Sequence, residues 1–212
     1  VGHVDFDFIV MKQTHRGLFN KGTLYNLGVN VAVRRGCDYV ALHDIDHVPM
    51  DHRNNYSWPD RPIHLCTNSS DVGWESFAGG AVLMQVKHFA LINGFSNLYH
   101  GWGAEDADLY ERVGKILGQF QRSDPNIGHY MPMKHETREQ SQMTKDGQNS
   151  HELNLKTVQR MRASKSRAVI HIDGYMQMRS HVQVINISEA LNVVTVTADI
   201  LLHGAIQAEC PF

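Results

Sequence analysis

The stretch Tyr39-Val-Ala-Leu-His-Asp-Ile-Asp-His-Val-Pro-Met50 constrains this chain more than any other. Tyr39 to Leu42 reads as a buried strand of aromatic and β-branched type, and it delivers Asp44 and Asp46 at its C-terminal end, where open α/β sheets place ligands. In an extended segment residues i and i+2 face the same way, so the two carboxylates address one ligand. Left unneutralised, they repel. A hard divalent cation carrying a diphosphate resolves that conflict. The plainer reading is that one Asp caps the turn before Pro49 and the other is solvated.

A second stretch supplies context. Asn97-Leu-Tyr-His-Gly-Trp-Gly-Ala-Glu-Asp-Ala-Asp108 puts Gly, Trp and Gly ahead of three acids, then runs into Leu109-Tyr-Glu-Arg-Val113, which has helical character. Glycines beside a Trp suit a tight backbone next to a large flat ring, and carboxylates are favoured at a helix start by its dipole. A sugar face would stack on Trp102 while Asp106 takes a hydroxyl proton. The alternative is a helix N-terminus beside a core Trp.

Composition narrows the class. With 20 basic and 22 acidic residues, a net charge of −2 gives no reason to expect nucleic acid or an anionic membrane surface as partner. The 212 residues suffice for one sizeable domain, 1–212, that buries a core without staples. Cys37, Cys66 and Cys210 are too few for a disulfide scaffold and lack zinc-site spacing, which leaves room for one bridge and one thiol. Asn55-Tyr-Ser57, Asn68-Ser-Ser70 and Asn186-Ile-Ser188 match the N-glycosylation acceptor pattern and permit a secretory compartment. No 18-residue apolar run and no signal-like start occur.

Along the chain, Val4 to Met11 alternates Phe6, Phe8 and Val10 against Asp5 and Asp7, as a half-buried strand does. From Asn20 the spacing of Leu24, Leu27, Val31 and Val33 predicts a helix ending at Arg34-Arg-Gly36. Strand, helix and strand make a βαβ unit and imply a parallel sheet. Residues 51–73 read as a long loop. Phe77-Ala-Gly-Gly-Ala-Val-Leu-Met84 reads as a glycine-hinged strand, its glycines either admitting a ligand or packing on a helix. Val86 to Ile92 is a short helix stopped by Asn93-Gly94, and Ser96 to Gly103 a loop of lid type. Residues 136–168 are polar and expected to be mobile or to order on substrate binding, with one helix over Leu153 to Met161. Tyr175 to Ile187 and Asn192 to Leu202 read as an antiparallel pair, with Val194, Val196 and Ala198 alternating against Thr195, Thr197 and Asp199.

Phe19-Asn-Lys21, His43-Asp-Ile-Asp46 followed by Pro49, Phe77-Ala-Gly-Gly80 and Gly101-Trp-Gly-Ala-Glu-Asp106 resemble, in order and spacing, the β-1,4-galactosyltransferases, most of all members that add galactose to protein-linked xylose. Tyr56-Ser-Trp-Pro59, Asn93-Gly-Phe-Ser-Asn97 and Val194 to His203 extend the likeness from about Phe19 onward. The resemblance implies a GT-A-type α/β fold: a mostly parallel central sheet flanked by helices, closed by the C-terminal antiparallel pair. It implies an inverting, Mn²⁺-dependent enzyme with a UDP-sugar donor and a glycan acceptor. It also implies a Golgi lumen location with a membrane anchor and a first nucleotide-binding strand ahead of Val1, so Val1 is read as an internal start or the chain as a shortened relative.

Carried over residue by residue, the resemblance makes Asp106 the catalytic base, with Glu105 beside it. Phe19, Asn20, Lys21, Asp44, Gly79, Gly80 and Trp102 face the donor, Lys21 keeping the charge of the family's Arg but not its planar fork. Phe77, Trp102, Gly103 and Asp108 face the acceptor. Asp46 and His135 hold the metal. The family's third ligand positions carry Pro132 and Thr137 here, so Met133, His129 or water fills that place. His100 stands where an additional Trp is usual, and Ala107 where a further acid binds the acceptor. Gly-Trp-Gly-x-Glu-Asp-x-Asp-Leu also resembles the β-1,4-N-acetylgalactosaminyltransferase domains of chondroitin-polymerising enzymes, which makes N-acetylgalactosamine the alternative sugar. A GT-A-like scaffold without activity is a rival of another class, and a metal-dependent hydrolase a third, though it leaves the Trp and the glycines without a purpose.

Overall fold

The computed structural model describes residues 6–14, 17–69, 77–133, 150–164, 167–190 and 193–201. Strand β1 (Phe8–Gln13) leads into helix α1 (Lys21–Arg34), β2 (Tyr39–His43) and β3 (His47–Pro49). Then come β4 (Ile63–His64), β5 (Ala81–Gln85), α2 (Val86–Leu91), α3 (Glu105–Leu117), β6 (Gln121–Arg122) and β7 (Tyr130–Pro132). Helices α4 (Ser150–Ala163) and α5 (Ala168–His171), a 3₁₀ turn (Tyr175–Ser180), β8 (Val182–Ala190) and β9 (Val193–Ile200) follow. Among the described residues no helix is long and apolar enough to cross a membrane.

Helix α1 organises the rest. It starts where the Asn20 side chain accepts from the Thr23 N–H at 2.9 Å, a cap worth about 1 kcal/mol, and stops before Gly36, whose φ of 82° suits glycine. Leu24, Leu27 and Val31 join one buried cluster with Val194, Val196 and Ala198. Val29 joins another with Leu42, Val82, Met84 and Leu109. The helix is thus apolar on two faces and lies between two sheets.

That placement corrects the expected sheet. The α/β class holds, but β1 and β2 do not share a sheet: the orders are β1-β9-β8, β2-β5-β4-β6 and a β3-β7 ribbon. Among these strands only β1–β9 and β4–β6 pair in parallel, while β2–β5, β4–β5, β3–β7 and β8–β9 are antiparallel. A crossover dictates parallel strands only when both ends enter one sheet, and α1 separates two. Strand β2 is accordingly an edge strand in which only Leu42 is buried, rather than the fully buried strand its composition suggests.

Strand β1 is also displaced by one residue from its expected facing. Ile9 and Met11 pack against the α1 cluster, whereas Phe6 and Phe8 are 66% and 60% exposed and contact each other edge to face. With a side-chain period of two, such a slip exchanges the faces. The C-terminal pair forms as expected, with Val194, Val196 and Ala198 buried along β9. Helix α4 covers residues 150–163 of the segment expected to be mobile. No disulfide joins Cys37 and Cys66 among the described residues, Cys66 is buried, and Cys210 lies outside them.

Candidate functional site

The end of β2 meets the start of β5. Asp44 donates its N–H to the Gly80 carbonyl at 2.7 Å, and its carboxylate accepts from the Tyr25 hydroxyl at 2.7 Å and from the Gly80 N–H at 3.3 Å. The extended geometry expected across Asp44 and Asp46 is replaced by a turn, closed by His47 N–H to the Asp44 carbonyl at 3.1 Å, with Ile45 thrown out to 87% exposure. The turn still brings the acids together. Ligand-capable atoms of Asp44, Asp46 and His47 lie within 4.8 Å of one another. Buried His47, whose Nδ1 is 2.9 Å from Asp46 Oδ1, was not singled out from sequence, although its place directly after the second Asp was the available signal. A mixed carboxylate–imidazole set of this kind suits a first-row divalent cation such as Mn²⁺.

Across from this turn, α3 begins at Ala104, whose φ of 76° swings the chain so that Glu105 and Asp106 open the helix. Its dipole favours them there. The two acidic groups are joined by Lys21, whose Nζ lies 2.8 Å from Asp106 Oδ2, 3.1 Å from Asp44 Oδ2 and 3.1 Å from Glu105 Oε1. Burial works against the Lys21 ammonium, yet Asp106, Asp44 and Glu105 hold its pKa well above the ordinary lysine value. Burial pushes the Asp106 carboxyl well above the usual carboxylate range, aided by Glu105 and Asp44 and opposed by Lys21. Burial and the Asp44 charge likewise raise the Tyr25 phenol. Tyr25 lies four residues after Lys21 on one face of α1, a spacing that sequence reading passed over.

Glycines close the floor. A Cβ on Gly79 would lie 2.6 Å from Asp106 Oδ2 and 2.1 Å from Phe77 Cζ, so only glycine lets the carboxylate and the half-buried Phe77 ring meet there. At Gly80, φ is 75° and a Cβ would lie 2.6 Å from Cys66 Sγ. Glu105 Oε2 is buried without a hydrogen-bond partner among the described residues, an acceptor waiting for a donor.

Trp102 is 38% exposed and its indole sits 4.6 Å from the His151 ring, at 47°. Gly103 lies beneath the same histidine, since a Cβ there would come 2.7 Å from His151 Nδ1. Asn154 donates to the carbonyls of His100 and Trp102 at 3.1 and 3.3 Å, so α4 anchors the Gly-Trp-Gly loop. Nothing in the polar sequence around His151 announced this. Phe19, 54% exposed, is tied to the loop by the Gly101 N–H, which donates to its carbonyl at 2.7 Å.

The packing around three sequence-predicted residues or choices bears on their roles. Asn20, expected on the donor side, is fully buried, with one side-chain atom capping α1 and the other donating to the Asn97 carbonyl at 2.8 Å. Asp108 is 1% exposed and pairs at 2.5 Å with equally buried Arg112, which donates onward to the Asp173 carbonyl. Its carboxylate, expected on the acceptor side, is thus engaged in a buried ion pair. Of the two candidates for a third metal ligand, the β3–β7 ribbon places Met133 beside Asp46, where its N–H donates to the Asp46 carbonyl at 2.6 Å. His129 lies at the opposite end, about 13 Å along a strand rising ~3.3 Å per residue. His135 lies outside the described residues.

Sequence reading also missed the polar hub beneath the loop. Asn97 Oδ1 accepts from Thr23 and from Asn26, both at 3.1 Å, and Asn97 Nδ2 donates to the Gly174 carbonyl at 2.7 Å. Asp173 accepts from the Ser96 hydroxyl and from the Asn97 N–H, which locks the loop to α1 and to the segment after α5.

Comparisons with known proteins point to one family. Residues 64–136 match a family model described as the N-terminal domain of galactosyltransferase, and residues 2–59 one described as the N-terminal region of glycosyl transferase group 7. Mouse β-1,4-galactosyltransferase 6 is 34% identical over 140 residues, which are 64% of this chain and 37% of that protein. Zebrafish β-1,4-galactosyltransferase 5 is 35% identical over the same shares. The chain therefore spans little more than a third of the length of these relatives. The catalytic domain of Drosophila β-1,4-galactosyltransferase 7, solved with xylobiose, superposes with a TM-score of 0.70 at 24% identity, covering 92% of this chain and 80% of that one. An Asp-to-Asn mutant of the same fly enzyme, solved with manganese, UDP-galactose and xylobiose, gives 0.69 at 22% identity, covering 92% and 81%. The fold is thus that of the GT-A galactosyltransferases.

Proposed function

The chain belongs to the β-1,4-galactosyltransferase family, and from that premise we propose that it moves galactose from UDP-galactose to a sugar hydroxyl with inversion at the anomeric carbon. One observation carries the reading: an acid-rich turn fit for a divalent cation and a helix-start carboxylate of raised pKa meet around a single half-buried ammonium. We assign the whole of 1–212 to one catalytic domain of a Golgi-lumenal protein.

Asp46 would hold Mn²⁺, with His135 by family resemblance and with His47 within reach by geometry. When bound, the cation supplies positive charge to the departing diphosphate. Asp106 accepts the proton of the acceptor hydroxyl as its oxygen attacks the anomeric carbon on the face opposite UDP. A carboxylate raised above its ordinary range is better matched to that proton than a solvated one. Glu105 supports the reading through its buried Oε2, which has no partner among the described residues and which a sugar hydroxyl would satisfy. Trp102, 38% exposed, offers indole surface for stacking, and Phe77 and Gly79 wall the space above Asp106. Asp44 and Phe19 face the nucleotide.

Among acceptors we favour a xylose-type sugar, on the motif set that runs from Phe19 to His203. A second reading, N-acetylgalactosamine as the transferred sugar, rests on Phe77, which lacks a phenolic hydroxyl, and on Ala107 in place of an acid.

The test is a transfer assay with Mn²⁺, pairing UDP-galactose and UDP-N-acetylgalactosamine with a xyloside, an N-acetylglucosaminide and a glucuronide. Galactose transfer by the native chain is expected, falling about 10²- to 10⁴-fold in Asp106→Asn, the range a general base contributes. Preference for N-acetylgalactosamine would install the second reading, and no transfer from either donor would end the enzymatic one.

A further inference from the structure

Lys21 is fixed at both ends. Its backbone opens α1 directly after the buried cap Asn20, and the next residue, Gly22, is pressed so closely to the loop before α3 that a Cβ would lie 2.5 Å from the Ser96 carbonyl. Its ammonium touches three carboxylates from two regions: Asp44 at the end of β2, Glu105 and Asp106 at the start of α3. Its side chain is only 18% exposed.

Asp106 is held from two sides. Gly79 lies against Oδ2 so closely that a methyl group would not fit, and Lys21 Nζ bonds the same oxygen. Three carboxylates crowd one ammonium, and without it their mutual repulsion would drive the two acids of α3 away from Asp44.

From these contacts we propose that Lys21 is a positioning residue for the proton acceptor: it pins Asp106 and Glu105 to the end of the Asp44 strand and keeps Asp106 aimed across Gly79. This role differs from the nucleotide contact that the family's Arg at this position implies. An ammonium already spent on three carboxylates has little left for a diphosphate, and a planar guanidinium would not converge on three separate oxygens in the same way. The kinetic consequence rests on the transferase reading, whereas the geometric one does not.

The experiment compares the native chain with Lys21→Gln and Lys21→Arg. Thermal melts establish that each variant is folded, kcat and KM are measured for UDP-galactose and for acceptor, and crystal structures of native chain and variants report the Asp106 carboxylate. The expected order in kcat is native, then Arg, then Gln, with Gln lowered about 10²-fold, as misplacement of a reacting group by an ångström costs. The donor KM stays within roughly threefold, since a positioning loss removes an interaction that acts in the transition state. In the Gln variant the Asp106 carboxylate leaves Gly79. Should Lys21→Gln fail to fold, Lys21→Arg decides by the same two readouts. A donor KM raised 10²-fold at unchanged kcat would make Lys21 a nucleotide ligand and overturn the proposal. So would an Asp106 carboxylate unmoved in the variant crystal. If the native chain transfers no sugar, the transferase reading fails by itself and the crystallographic comparison alone decides the role of Lys21.

Discussion

Asp106 and Asp108 stand two residues apart, and at 3.6 residues per turn their side chains leave α3 about 200° from each other. One faces Lys21 and the open site, and the other faces Arg112 in the core. Sequence reading recognised the acids because carboxylates before a helix need an explanation, but the resemblance that grouped Asp108 with the acceptor carried no information on which side of the helix is covered. His47 and Tyr25 were legible only as neighbours of chosen residues, and His151 had no local signal at all. Removing one partner of a buried ion pair leaves the other charge uncompensated, so Asp108→Ala should lose about 3–5 kcal/mol of stability in urea denaturation. A loss under about 1 kcal/mol with a raised acceptor KM would return Asp108 to the acceptor site.

At the scale of elements, helices were read more accurately than sheets. The caps and stops of α1 and α2 are local and lie in the sequence, whereas strand partners depend on what α1 packs against on each side. The two-residue strand β4 was not foreseen, yet its His64 supports the floor of the site. His64 is fully buried, with Nε2–H donating to the Gly79 carbonyl at 2.8 Å and Nδ1 accepting from Arg122 at 3.2 Å. Burial lowers its pKa to about 4, the Gly79 contact opposing and Arg122 adding to that effect. The unfolded chain protonates this histidine near 6.5, so between these values the unfolded state binds more protons and stability falls as pH falls. The contribution is fully present above 6.5 and lost below 4, about 3 kcal/mol for a shift of that size. Urea midpoints between about pH 7 and 4 should therefore drop more steeply for the native chain than for His64→Gln. Parallel slopes would contradict the assignment.

At the scale of the whole molecule, α1 joins the parts: it fills the space between two sheets and carries Lys21 and Tyr25 to the acids. The α/β class and the family were legible because the motifs that carry them lie in short contiguous runs. The division into separate sheets was not, because pairing between strands as distant as β1 and β9 leaves no local trace. If the Asp44–His47 turn and its neighbours form a cation-dependent donor site, calorimetric titration of UDP reads that property out. With Mn²⁺ the native chain should bind UDP, and binding should vanish when Mn²⁺ is omitted or when Asp46 is replaced in Asp46→Ala. Equal binding with and without the metal, or an Asp46→Ala variant that binds as the native chain does, would mean that this turn is not a cation-dependent donor site.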